Sequence, residues 1–280
     1  MVELSSRVLR LRAPNPSPLT LDGTNTYLLL ADERRAVVID PGPDDSRHIT
    51  RIVRELEARG LVVSAIAVTH GHPDHAPGAA TLHRLTNAPV YAHTLARFPH
   101  DHPLADGETL RLGTLELTAI DAPGHSPDHL VFWLAEEGML FTGDVVIGRG
   151  SVVIAPPDGE MRTYQRTLER LRTDFGHART ILGGHGERID DPKEKLDEYI
   201  AHRKQREDQI RAALREKPLT LLELVSAVYP DLDSDLLGAA ARQISAYLIA
   251  LEREGEVRTE NDDGTSVRYV LKFGEQGKPG

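Results

Sequence analysis

Three histidines and a carboxylate crowd into the segment Thr69-His70-Gly71-His72-Pro73-Asp74-His75, which follows the apolar run at 64–68. A loop of this kind at the end of a strand aims several donors at one point. Crowded imidazoles repel one another when protonated, so a metal ion or water must separate them. A zinc ion takes three or four protein ligands, and two zincs need more than this loop supplies. Further donors follow downstream, each beside glycines that let the backbone approach closely: His125 in Ala122-Pro123-Gly124-His125-Ser126, Asp144 in Phe141-Thr142-Gly143-Asp144, and His185 in Gly183-Gly184-His185-Gly186. Taken singly, each of the three reads as well as an ordinary loop residue; together they complete a set. The chain has no cysteine, so imidazole and carboxylate must hold any metal, and disulfides and thiolate nucleophiles are excluded.

The order of these motifs, HxHxDH, a later His, Gly-Asp and Gly-His-Gly, resembles that of the metallo-β-lactamase superfamily across the whole catalytic portion of the chain. By that resemblance His70, His72 and His125 hold a first zinc, Asp74, His75 and His185 hold a second, and Asp144 bridges them. Asp40, in Val37-Val38-Ile39-Asp40-Pro41-Gly42, matches the family's early aspartate, which supports the histidine loop from behind. The lesser alternative is a simple turn-forming Asp before Pro-Gly. Asn15-Pro16-Ser17-Pro18 with Gly23-Thr24-Asn25-Thr26-Tyr27, the helix bearing His202-Arg203-Lys204-Gln205-Arg206-Glu207, and a terminal winged helix resemble the lactamase-β-like protein 2 type, whose mitochondrial members are single-strand endoribonucleases. This resemblance runs almost end to end and implies a four-layer αββα sandwich with the winged helix packed beside it.

Two zincs about 3.5–4 Å apart share a hydroxide, because joint coordination lowers the pKa of water from about 16 to near neutrality. The catalytic residues on this reading are Asp144, between the two ions, and Asp74, which accepts the water's proton. No side-chain nucleophile is needed, and Ser126 reads as a loop residue. Zinc is the expected metal; iron or manganese suits the same donors nearly as well.

The elements that must position these donors are short strands separated by turns at 8–11, 26–30, 36–39 and 62–68, with a helix near 44–59. A helix around 78–85, a strand at 90–92, β-like segments from 109 to 141, a helix near 160–173 and a strand at 180–182 complete two mixed halves. Layered sheets with helices outside, an α+β fold, follow from that pattern. We read residues 1–190 as the catalytic domain. Residues 191–216 form one polar connecting helix with a narrow stripe of Leu196, Ile200 and Ile210, and 217–280 form a winged helix, two helices and a hairpin whose turn carries Asp-Asp-Gly. The tail GEQGKPG reads as disordered.

At 280 residues, 40% hydrophobic and 27% charged, the chain has ample material for a core. No apolar run approaches the roughly 20 residues that span a bilayer, and the start MVELSSRVLRLR lacks a secretory apolar stretch, so a cytoplasmic protein without a membrane partner is expected. A formal charge of -10 disfavours gripping nucleic acid through a broad basic face. Bound zinc adds positive charge that this count omits, so a phosphodiester substrate is not excluded. The second helix of the winged module, 237–252, offers Arg242 and little else basic, so the module reads as a docking or homodimer surface rather than a DNA reader.

Two substrate readings remain: single-stranded RNA, or a small-molecule ester or thioester of the glyoxalase II kind, gripped by Arg203, Lys204 and Arg206. A regulatory protein with a decayed site is opposed by seven competent ligand positions, and antibiotic defence by the terminal extension. Among other candidates, Arg149 in the Gly148–Ser151 loop could grip an anion, Tyr164 reads as core or as pointing at a ligand, and His100-Asp101-His102 as an exposed loop. His93 and His129 lie near the site in sequence, and His177 and His202 read as surface residues.

Overall fold

Strands buried on both faces need cover on both sides, and the alternation of side chains shows how the chain supplies it. In the computed structural model, which describes residues 1–262 and 266–272, strand β4 (Arg35–Ile39) turns Val37 and Ile39 into one apolar cluster and Ala36 and Val38 into another. The first cluster lies between two sheets and the second beneath helices, giving four layers.

The first sheet has seven strands in chain order: β1 (Val2–Glu3), β2 (Val8–Arg12), β3 (Asn25–Leu30), β4, β5 (Val62–Ala67), β6 (Val90–His93) and β7 (His102–Leu104). Its outer face is covered by α1 (Ser46–Glu57) and α2 (Gly78–Thr86), with Ile49, Ile52, Leu56 and Leu82 packed on Val38, Ile66 and Val68. The second sheet runs β12-β11-β10-β9-β8, where β8 is Thr109–Leu112, β9 Leu115–Asp121, β10 Leu130–Leu134, β11 Met139–Gly143 and β12 Thr180–Gly183. Its outer face meets α3 (Met161–Phe175) and α4 (Pro192–Glu216). Asp45 caps α1, Glu160 caps α3, and Asp191 caps α4 just before Pro192.

Beyond α4 stand α5 (Leu221–Val228), a 3-10 turn (Ser234–Leu236), α6 (Leu237–Arg253) and the hairpin β13 (Val257–Asp262) and β14 (Ser266–Leu271). A Thr220–Glu223 capping box starts α5, and Leu219 joins the wing through an isolated antiparallel bridge to Tyr269. Asp263 and Gly264 of the expected turn, and the tail from Gly274, lie outside the described residues. Among the described residues, no helix is long and apolar enough to cross a membrane.

Two expectations change. Helix α4 is more than a polar connector: Leu196, Tyr199, Arg203, Glu207, Ile210 and Leu214 form a continuous buried stripe against α3, α5 and α6. Its charged members disguise it in sequence, because Arg203 and Glu207 find their partners only in the folded core. His102 is exposed, as expected, but opens edge strand β7; its ring stacks on Tyr91, and the Asp101 carboxylate accepts the Val90 N–H (2.8 Å). Apolar packing then runs without a break from the second sheet through α4 to Ile244, Tyr247 and Leu251 of α6. Arg162 on α3 adds ion pairs to Glu207 and Glu254, and Arg211 adds one to Glu256.

Gly124 marks a tight approach between the second sheet's loops and α3: its φ is +127°, and a Cβ there would overlap the Tyr164 backbone. Neither backbone can yield, so Gly124→Ala is expected to cost about 3 kcal/mol or more in denaturant unfolding. Gly238→Ala, where a Cβ meets nothing within 4 Å, is expected to gain about 0.5 kcal/mol from helix propensity; equal effects at the two positions contradict this packing.

Candidate metal centre

Strand β5 delivers the histidine loop, and one carboxylate fixes it. Asp40, at the end of β4 with φ 50°, accepts the Thr69 N–H on Oδ1 (2.7 Å) and the Thr69 hydroxyl and His75 Nδ1–H on Oδ2 (2.7 and 2.8 Å). The Thr69 hydroxyl has spent its proton on Asp40, so at 3.0 Å it accepts from His70 Nδ1. Both rings therefore carry their proton on Nδ1 and turn Nε2 inward. His125 follows the same rule, donating Nδ1–H to the Val153 carbonyl (3.1 Å). The loop closes on itself where the His72 carbonyl accepts from His75 and Ala76.

The seven expected donors fall into two groups, His70 with His72 and His125, and Asp74 with His75, Asp144 and His185; within each, the ligand atoms all lie within 4.8 Å of one another. Asp144 stands between the groups. Its Oδ1 lies 3.3 Å from His185 Nε2 and 3.5 Å from His75 Nε2, while its Oδ2 lies 3.7 Å from His125 Nε2. His70 Nε2, His75 Nε2 and Asp144 Oδ1 are buried without a hydrogen-bond partner among the described residues, which is costly unless a cation joins them. A Cβ on Gly184 reaches 2.6 Å from both Asp144 Oδ1 and the His75 ring, so any side chain there fills the space between the donors. Nitrogen and carboxylate donors in two sets of three or four fit a dinuclear divalent metal site.

Two residues here carry no role in the sequence reading. Asp128 accepts the Gly71 N–H (3.0 Å) and the Ser126 hydroxyl (2.8 Å), tying the histidine loop to the His125 loop. His129 is fully buried, stacks on His70 with centroids 4.5 Å apart, and accepts the Asp144 N–H (3.1 Å). The available signal was Asp-His immediately after a ligand segment and before an apolar strand.

The remaining candidates separate clearly. Asp40 supports the loop as the resemblance implied. Tyr164 is core, its hydroxyl donating to the Val145 carbonyl (2.7 Å). Arg149 is exposed on a loop joined to the site by the Gly148 N–H on the His185 carbonyl (2.9 Å). Arg203, expected to face a substrate, is instead 2% exposed, over the Tyr164 ring and bonded to the Val152 carbonyl. Arg206 is held by Tyr229 and the Val228 carbonyl, which leaves Lys204 as the exposed cation of that trio. His93 pairs with Asp121, His177 is exposed against Trp133, and His202 is partly buried beside Arg206.

The two donor groups hold protons differently. Burial pushes His70 well below the ordinary histidine range and His125 down to about 4, so both rings are neutral donors at neutral pH. Burial also opposes the charged form of His75 and His185, but the facing carboxylates outweigh it. Asp74, Asp144 and Asp40 hold His75 well above its usual range, and Asp144 with Asp74 brings His185 up to about 9. A cation entering the second group must therefore displace protons, and its affinity rises as pH climbs towards about 9. Calorimetric metal titration near neutral pH, in buffers of different protonation heat, is expected to show proton release on filling the second group and little on filling the first; release on neither contradicts this electrostatic picture.

Comparison with known proteins agrees with this geometry. Residues 19–185 match the family described as Metallo-beta-lactamase superfamily, and residues 220–265 match the Beta-lactamase associated winged helix domain. The chain is 32% identical over 276 residues to the Beta-lactamase-like protein 2 homolog of Drosophila melanogaster, covering 92% of each. It is also 32% identical to the homolog of the same name from Caenorhabditis elegans, covering 96% of this chain and 91% of that one. Among solved structures, a metallo-beta-lactamase family protein from Thermus thermophilus superposes with TM-score 0.80 at 25% identity, covering 96% of this chain and 100% of that one. A Beta-lactamase domain protein from Burkholderia ambifaria shares the fold with TM-score 0.83 at 24% identity, covering 97% and 93%. With two donor groups meeting at Asp144, a match over more than half its length and relatives aligned almost end to end, the chain belongs to the metallo-β-lactamase superfamily of hydrolases and carries that family's associated winged helix.

Proposed function

We propose that this hydrolase binds two zinc ions and cleaves phosphodiester bonds in single-stranded RNA. The observation that carries the dinuclear reading is Asp144, whose two oxygens face different donor groups. On this reading His70, His72 and His125 hold one ion, Asp74, His75 and His185 the other, and Asp144 both. When bound, such a pair supplies a water acidic enough to attack at neutral pH and a Lewis acid for the phosphoryl oxygen.

The protein's own groups do the rest. Asp40 and Thr69 keep His70 and His75 aimed inward, so the donors need little reorganisation. Asp74, with a quarter of its side chain exposed against 12% for Asp144, is the site carboxylate open to solvent, where it takes up the proton of the attacking water. Arg149, exposed on the loop bonded to His185, is the cation that this reading assigns to an anionic backbone.

The choice of RNA follows the resemblance of the 15–27 segment, the 202–207 helix and the winged helix to the endoribonuclease branch. The thioester reading loses support because Arg203 and Arg206 are engaged inside the fold. Helix α6 turns Ile244, Tyr247, Leu248 and Leu251 inward, which favours a docking role for the winged helix over nucleic-acid reading.

Metal-quantified protein is expected to cleave single-stranded RNA and to leave a thioester panel untouched. His72→Ala and Asp144→Asn are expected to lower the rate at least about a hundredfold while unfolding as wild type does. A zinc-loaded protein inert on every RNA but active on thioesters overturns the substrate assignment; full activity in Asp144→Asn overturns the shared-carboxylate reading.

A further inference from the structure

Residues 151–155 belong to no helix or strand, yet Val152 is 6% exposed and Ile154 is fully buried. The backbone polar groups of such a segment need partners from elsewhere. They find them in the C-terminal half. Arg203 on α4 donates Nη2–H to the Val152 carbonyl (2.7 Å) and Nη1–H to Gln243 Oε1 (3.3 Å). Gln243, 5% exposed on α6 of the winged helix, accepts the Ile154 N–H on the same oxygen (2.9 Å). Between these two anchors stands the Val153 carbonyl, which accepts from His125 Nδ1.

The rest of the loop from Asp144 onward is held by α3 and α4. Tyr164 on α3 donates to the Val145 carbonyl, and the Tyr199 hydroxyl on α4 accepts the Ile147 N–H (3.1 Å). Arg203 lies over the Tyr164 ring, 5.0 Å from its centroid, and its own carbonyl accepts from the Tyr247 hydroxyl (3.2 Å). A side chain of the winged helix is thus two hydrogen bonds and one peptide group away from a donor of the candidate metal centre.

We infer that Gln243 and Arg203 are positioning residues through which the winged helix sets the metal affinity of the first donor group. A carbonyl can only accept, so the Val153 oxygen fixes the proton on His125 Nδ1 and the ring's rotation, leaving Nε2 aimed at His72 and Asp144. The position of that oxygen depends on its two neighbours along the chain, and those are pinned by Arg203 and Gln243. The winged helix is on this account a brace for the catalytic site. The inference rests on His125 being a metal ligand.

The test is a Co2+ titration of metal-free protein followed by visible absorption, alongside thermal unfolding of the metal-free form. Gln243→Met keeps the volume and removes the acceptor; it is expected to weaken Co2+ at the first group about tenfold, as loss of a ligand's supporting partner does, with the second group changed less than about twofold. Gln243→Asn, whose oxygen is one methylene short of Ile154, carries the same expectation should the methionine variant fail to fold. Gln243→Glu, which keeps an oxygen acceptor at full reach, is expected to restore binding. Folded Met or Asn variants with wild-type affinity at the first group overturn the inference. His125→Ala separates the two layers of the argument: if it leaves Co2+ uptake intact, the ligand assignment fails, whereas loss of a site in His125→Ala with no effect at Gln243 defeats the brace alone.

Discussion

Imidazoles and carboxylates gathered at the buried ends of strands are unfavourable company unless they share a positive charge. His70, His75 and His185 are at most 2% exposed and Asp144 is 8% exposed, and several of their polar atoms have no hydrogen-bond partner among the described residues. Moving such groups out of water costs several kcal/mol each when nothing compensates. Their convergence on two points flanking one carboxylate therefore sets the requirement that the surrounding structure answers. The folded chain accepts this cost at the centre and meets it with order around it.

That order is supplied from behind the donors. Asp40 binds Thr69 and His75, Asp128 joins the histidine loop to the His125 loop, and His129 receives the Asp144 N–H. Each of these contacts fixes a tautomer or a backbone position in a rigid sheet environment. The four-layer arrangement makes this achievable, because strand ends from both sheets emerge at the same edge of the interior. Close approach by Gly184 then leaves the space between the donors free of side chains.

The donors were legible in the sequence because they cluster at apolar strand ends beside glycines, where the local pattern and the chemistry agree. Layered sheets with helices outside were legible from strand-like runs alternating with helical segments in two halves, and the four layers from the family resemblance; β4, apolar at four successive positions, has no alternation to show which side chain faces which layer. What was not legible depends on contacts distant along the chain. Helix α4 looked like a solvated connector because its buried stripe includes Arg203 and Glu207, whose partners Tyr164, Val152, Gln243 and Arg162 lie some forty to fifty residues away or on another helix. Arg203, read as a substrate anchor, is spent inside the fold for the same reason. Asp128 and His129 carry no motif of their own, and their roles appear only when β10 and the histidine loop meet.

The central claim, that one carboxylate serves two metal ions held by three further donors each, is tested most directly by diffraction from zinc-loaded crystals at the zinc absorption edge. The account predicts two anomalous peaks, one among His70, His72 and His125 and one among Asp74, His75 and His185, each about 2 Å from an Asp144 oxygen. A single peak, or two peaks that leave Asp144 uncoordinated, contradicts it.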